Sequence, residues 1–313
     1  MGRYPTTIET CTEKLCEHIK NEEFAMDSTV RYYRNQVQCV FRILHQRDET
    51  LLPYTVTKDD VKWLLDTLID GEYAVNTIKG YMQALRRICI FYNNTAVYET
   101  KYRLQYDTRP NADWLTLEQG EQLVAVKKTV PQELVIHLEL CTGLRRVEVA
   151  RLKTSSIKNG YLDVLGKGRM GGKPRVVPFH KDTQKIVNMY AEYRHGLVTR
   201  SMNHWGADVD IPDQFMIWID ENDVLHPYST VKTTGIDKIV AGVERSLPFH
   251  FSNHTLRRTF GRTLHKAKAP LVSIMKLLGH DDVKTTIQYL GLNFDDMTEA
   301  MELSPFSYEF STE

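Results

Sequence analysis

The apolar residues of the first hundred positions recur at helical spacing. Behind Ser28 and Thr29, which read as an N-cap, Val37, Val40, Phe41 and Leu44 fall on one face. The stretch from Thr57 to Asp60 reads as a capping arrangement ahead of Val61, Leu64, Leu65 and Leu68, with Asp where the usual capping box has Glu. Asn76 is expected to cap a longer helix whose apolar face holds Ile78, Met82, Leu85, Ile88 and Cys89 and whose polar face carries Lys79, Arg86 and Arg87. Four such helices predict a small bundle over residues 1–100. The period lapses over 101–113, a polar stretch with Pro110 that reads as an interdomain linker.

From Thr116, where Thr-Leu-Glu-Gln forms a capping box before Leu123 and Val124, the pattern turns mixed. Residues 132–141 predict a buried helix stopped by Thr142 and Gly143. β-prone runs at 161–165 and 175–179 flank the basic, glycine-rich GKGRMGGK and predict a hairpin. Helices are predicted at 181–194, about 229–245, 252–267, 270–278 and 282–290, with Pro270 in a first turn and one strand at 215–219. The fold class is therefore mainly α with a small β component: a helical bundle, then an α+β domain over 114–292. In the tail, 293–313, Phe294, Met297, Met301 and Leu303 recur at helical spacing, an apolar face that would serve as an intersubunit contact if the chain assembles as the resemblance given below implies.

Composition narrows the class. A chain of 313 residues has room for about two domains with their own cores. No apolar run approaches the roughly 20 residues of a membrane span, and the polar N-terminus lacks the apolar centre of a signal peptide. A cytoplasmic protein without a membrane partner is expected. The five cysteines are odd in number and without a CxxC pair, so neither a disulfide framework nor a zinc site is indicated.

Forty basic residues balance forty acidic ones, but unevenly along the chain. Residues 141–175 hold nine basic and two acidic side chains, and after Lys284 every charged residue is acidic. Two basic segments and an acidic tail leave a polyanion surface open in spite of the neutral total.

Four local patterns could carry chemistry. In TGLRRVE, a glycine turn precedes Arg145, and Glu148 lies one turn on where it could brace an arginine. Lys167 stands between glycines in the hairpin turn, exposed and able to reach a phosphate. His254 and Arg257, three apart, share a helix face, while Leu256 and Phe260 belong to the core; a guanidinium so placed calls for an anion. In LGHDDVKTTIQY, Gly279 and His280 end one helix and Tyr289 follows nine residues after His280. Each pattern alone is ordinary: a surface ion pair, a common hairpin, a capped helix, an amphipathic tyrosine.

Together they answer one chemical need. A tyrosine, with a pKa of about 10, attacks a phosphodiester only if the charge of the transition state is strongly stabilised. Two arginines and a histidine donating to the non-bridging oxygens would do so without a metal, a second histidine could take the phenolic proton, and a lysine could protonate the leaving oxygen.

With these motifs the chain resembles the tyrosine recombinases of the phage integrase and Xer-like family. TGLRRVE, VLGKGRMGGKPRVVPF, HTLRRTF and LGHDDVKTTIQY match the family's motifs in order over residues 114–292, and NTIKGYMQALRRICIFY resembles its core-binding domain more loosely. The resemblance implies a core-binding, SAM-like helical bundle and a catalytic domain in which Arg145, Lys167, His254, Arg257, His280 and the nucleophile Tyr289 are catalytic and Glu148 supports them. Lys173 is a rival for the lysine role. It further implies double-stranded DNA as partner, a homotetramer on two DNA sites, a 3′-phosphotyrosyl intermediate, a Holliday junction, no cofactor or metal, and a nucleoid-associated location. Lys79, Arg86, Arg87, Arg146, Arg169, Lys173, Arg175 and Arg258 are the expected DNA contacts. Because the bundle begins almost at Met1, no arm-binding domain is expected ahead of it. Two rival readings are a type IB topoisomerase-like relaxing enzyme and a non-catalytic DNA-binding regulator on the same scaffold.

Overall fold

The computed structural model describes residues 4–102, 104, 113–166, 172–228, 234–292, 296, 298 and 301. The chain divides into two compact units, Met1–Arg109 and Pro110–Glu313.

The first unit contains α1 (Ile8–Asn21), α2 (Asp27–Leu44), α3 (Lys58–Asp70), α4 (Val75–Phe91) and the single turn α5 (Ala96–Glu99). Leu15, Val37, Phe41, Leu64, Leu68, Met82, Leu85 and Ile88 form its core, so the apolar faces read from the periodicity point inward. Thr57 and Asp60 cap α3 reciprocally. Two other starts differ from expectation. Helix α2 begins at Asp27 behind Met26, which makes no side-chain cap bond, and α4 begins at Val75 behind Ala74. Ser28, Thr29 and Asn76 therefore lie inside first turns. At α2 the Asp27 carboxylate faces the positive end of the helix in place of a cap.

The second unit is built around α7 (Val130–Thr142), whose Leu134, Val135, Ile136 and Leu138 are buried. It packs on α9 (Lys181–Trp205), α10 (Thr234–Glu244) and α11 (Asn253–Lys266). Around that centre lie α6 (Leu117–Ala125), α8 (Arg146–Arg151), α12 (Leu271–Leu278) and α13 (Val283–Leu290). A three-stranded antiparallel sheet, β1 (Ile157–Lys158), β2 (Tyr161–Leu165) and β3 (Pro174–Pro178), contains the expected hairpin, in register from Tyr161 opposite Pro178 to Leu165 opposite Pro174. The turn at 167–171, with Lys167 and Arg169, lies outside the described residues, as does most of the linker and of the tail.

Helix α9 runs eleven residues beyond the expected end at 194 because its last turns find a separate apolar contact. Val198 packs there on Ile217 of β4 (Ile217–Ile219) and Leu225 of β5 (Leu225–Pro227). Pro270 is the N-cap of α12. A small cluster of Ile274, Leu278 and Leu290, with Phe260 against it, joins α11, α12 and α13. No helix among the described residues is long and apolar enough to cross a membrane.

Candidate active site

Two left-handed glycines prepare the site. Gly143 (φ 65°) ends α7 and Gly279 (φ 62°) ends α12. Around Gly143 there is no room for a side chain: a Cβ would lie 2.4 Å from Phe260 Cδ1. Both turns aim helix-end carbonyls, the negative ends of their helices, into one space. Arg257 donates there from Nη1 to the Gly143 carbonyl and from Nη2 to the Leu278 carbonyl, and Arg145 Nη2 donates to the Gly279 carbonyl at 3.1 Å.

Glu148 lies between the guanidinium groups. Its carboxylate accepts from the Arg145 backbone N–H (2.8 Å), from Arg145 Nη1 (2.8 Å) and, as a fork, from Arg175 Nη1 (2.7 Å) and Nη2 (2.8 Å). Arg257 Nη1 stands 3.7 Å from Oε2. Burial pushes the carboxyl upward, but the Arg175 bonds and charge, with Arg257 and Arg145, outweigh it and bring its pKa down to about 2. Arg257 is only 2% exposed; burial, with Arg145 next to it, lowers its pKa to about 10, so it still carries its charge at neutral pH.

The α12–α13 turn presents His280 to Tyr289. The two rings meet edge to face, 5.1 Å apart between centroids. His280 Nδ1 is 3.0 Å from Thr286 Oγ1, and that hydroxyl lies 3.5 Å from the Asp282 carbonyl oxygen, to which it donates. In that chain Nδ1 donates to Thr286 and Nε2 is left as the acceptor. Burial first, then Arg257, Arg145 and Arg175, depress the imidazole to about 4, so it is neutral at physiological pH. Asp282 caps α13 through Thr285. Sequence reasoning missed Thr286, a residue of ordinary type one turn beyond the cap.

Tyr289 Oη is buried and has no hydrogen bond of good geometry among the described residues. Burial raises its pKa, against the pull of Arg257, Arg258 and Arg145. The guanidinium carbons of Arg257 and Arg258 lie 5.8 and 5.5 Å from its ring centre. His254 is exposed in the first turn of α11, one turn before Arg257.

Arg145, Arg257, His280, Tyr289 and Glu148 are thus gathered, with His254 and Arg258 on the same helix as Arg257. Several expected DNA contacts have partners inside the protein. Arg146 Nη1 binds both Asp237 oxygens at 2.9 Å, Lys173 Nζ is 2.6 Å from Asp281, and all three Arg175 nitrogens donate inward. In the first unit Arg87 pairs with Glu23 and Arg86 lies over the Tyr98 ring, 3.7 Å from its centre; Lys79 is in the first turns of α4. Sequence reasoning also missed Glu139 of α7, whose fully buried carboxyl is pushed well above the usual carboxylate range, chiefly by burial.

The family model described as "Phage integrase family" matches residues 113–295. Among curated proteins, a relative named tyrosine recombinase XerC from Oceanobacillus iheyensis is 26% identical over 94% of this chain and 95% of its own length. A protein of the same name from Haemophilus influenzae is 24% identical over 94% and 96%. Among solved structures, the Tn1549 transposon integrase in complex with transposon right end DNA superposes with a TM-score of 0.66 at 20% identity, over 95% of this chain and 98% of that one. A lambda integrase dimer bound to a core site gives 0.63 at 16%, over 98% and 81%. At these identities the structural likeness concerns the fold.

Proposed function

The chain belongs to the phage integrase family and is a tyrosine recombinase, an enzyme that cuts and rejoins DNA at specific sites; from that premise we propose that Tyr289 is its nucleophile and that Arg145, Arg257, His254 and His280 form its phosphate site. One observation carries the reading: a buried phenolic oxygen, without a hydrogen bond of good geometry among the described residues, stands beside a neutral histidine and two guanidinium groups held by helix-end carbonyls.

In this mechanism the scissile phosphate docks between Arg145 and Arg257, with His254 as a further donor. Tyr289 Oη attacks phosphorus and the bond to O5′ breaks. The phenolic proton passes to His280 Nε2, and O5′ takes a proton from Lys167, or from Lys173 in its place. The 3′-phosphotyrosyl link conserves the bond energy, and attack on it by a 5′-hydroxyl of the partner strand regenerates the phenol. The arginines act by charge already in place before the reaction, which lowers the barrier without a reorganisation cost. Exchange of one strand pair and then the other, through a Holliday junction in a tetramer on two DNA sites, belongs to the same proposal, as does action in the cytoplasm at the nucleoid. So do residues 1–100 and 114–292 as core-binding and catalytic domains about the linker 101–113.

The test uses nicked duplexes with a randomised core, in which cleavage releases a short fragment and traps the adduct. Wild type is expected to yield a denaturant-resistant protein–DNA species enriched in one sequence, and Tyr289→Phe to bind the enriched duplex without forming it. Binding without an adduct by wild type would favour a non-catalytic regulator.

A further inference from the structure

We propose that Arg175 is a positioning residue that locks the β2–β3 hairpin to the phosphate site, an inference that rests on the reading of that site given above. The sequence places Arg175 among basic residues next to the hairpin turn, where a DNA contact is the obvious role. The structure directs it elsewhere. Its Nη1 and Nη2 fork onto the two oxygens of Glu148, at 2.7 and 2.8 Å, and its Nε donates to the Leu277 carbonyl at 3.2 Å. Its side chain passes against Gly279, where an added Cβ would stand 3.0 Å from both Cδ and Nη1. The side chain is 12% exposed.

One residue on β3 therefore ties that strand to two elements that lead into site residues, α8 and α12. It grips Glu148, whose Oε1 also receives Arg145 Nη1. It holds the end of α12, from which His280 follows. Glu148 alone could turn about its last bond and take Arg145 with it; a fork on both oxygens removes that freedom. A lysine supplies charge but no fork, so the two residues are not interchangeable here. The glycine at 279, already required by its left-handed φ, also leaves room for this contact, since an added Cβ would press on the Arg175 side chain at 3.0 Å.

The test measures single-turnover adduct formation and DNA affinity, across pH, for Arg175→Lys, Arg175→Gln, Glu148→Gln and the Glu148→Gln/Arg175→Gln pair on the trapped duplex. Circular dichroism and a melting curve establish that each variant is folded. Both Arg175 variants are expected to bind DNA within about twofold of wild type, yet to form adduct about tenfold or more slowly, the equivalent of one lost charge-assisted hydrogen bond. In Arg175→Gln the acid limb of the rate profile should move upward, because Glu148 loses the partner that holds it ionised. The double variant should be no slower than Glu148→Gln alone, since Arg175 acts through that carboxylate.

Weakened binding with an unchanged cleavage step would make Arg175 a phosphate contact and overturn the proposal. Additive slowing with an unmoved acid limb would reduce it to packing, and a wild-type rate in Arg175→Lys would remove the need for the fork. If wild type itself formed no adduct, the nucleophile assignment would fail separately. The Arg175 contact would then be read from unfolding free energies of the DNA-free protein: coupling between Arg175→Gln and Glu148→Gln supports it, and simple additivity overturns it.

Discussion

Replacing Glu148 by glutamine removes one negative charge from among three arginines and keeps the shape. The carboxyl is 3% exposed, and its pKa falls from 4.5 to about 2 on folding. At about 1.36 kcal/mol per pH unit, that displacement corresponds to roughly 3 kcal/mol of stability at pH 7. The sign follows from the depressed value: the contribution is present above pH 4.5 and is lost as pH falls toward 2, because the unfolded chain takes up a proton that the folded one refuses. By pH 3.5 about 2 kcal/mol should remain. Breaking a buried pair from one side costs about 3–5 kcal/mol, which agrees with the pH 7 figure. Urea unfolding of wild type and Glu148→Gln, at steps from pH 7 to 3.5, reads the difference as a shift in midpoint at constant slope. We expect the variant to be less stable by about 3 kcal/mol at pH 7 and the gap to narrow by roughly 1 kcal/mol at pH 3.5. A gap below about 1 kcal/mol, or one that does not change with pH, would refute the reasoning, since either outcome means the charge is not held by the arginines.

Three further outcomes follow from the same geometry. Gly143→Ala places a Cβ at positive φ and against Phe260, and should destabilise the protein by about 2–4 kcal/mol in urea; a loss under about 1 kcal/mol would show that the turn can relax. His280, depressed from 6.5 to about 4, stabilises the fold above pH 6.5 and loses that contribution between 6.5 and 4; discounted for partial exposure this is roughly 1–2 kcal/mol, so His280→Gln should flatten the decline in unfolding free energy between pH 7 and 4.5, and an unchanged slope contradicts it. Asp296 ties the start of the tail to Arg262 at 2.7 Å, both side chains being under a tenth exposed, and Asp296→Asn should cost about 2–4 kcal/mol by the same unfolding assay, whereas a neutral result would mean the pair contributes nothing.

Much of the site was legible because its signals are local. The glycine before Arg145, the carboxylate three residues after it and the three-residue step from His254 to Arg257 all operate within one or two helical turns. What escaped was non-local. Arg146 looks like a DNA contact until Asp237, 91 residues later, arrives from α10, and Arg175 looks like another until α8 and α12 close on it. Periodicity found the apolar faces of the bundle but not the starts of α2 and α4, where Met26 and Ala74 stand in for the polar caps that the local sequence offered. The end of α9 was missed for a related reason: Leu197 and Val198 in its last turns pack against β4 and β5, a contact no local window contains.

The central claim is that Tyr289 carries the DNA. No lysine or arginine follows Lys284, so trypsin releases residues 285–313 from the trapped adduct as a single peptide containing two tyrosines, Tyr289 and Tyr308. Fragmentation mass spectrometry of that peptide, after nuclease trimming, distinguishes them. The account predicts a nucleotide joined through its 3′-phosphate to Tyr289. A nucleotide on Tyr308, on a residue outside this peptide, or linked through a 5′-phosphate would contradict it.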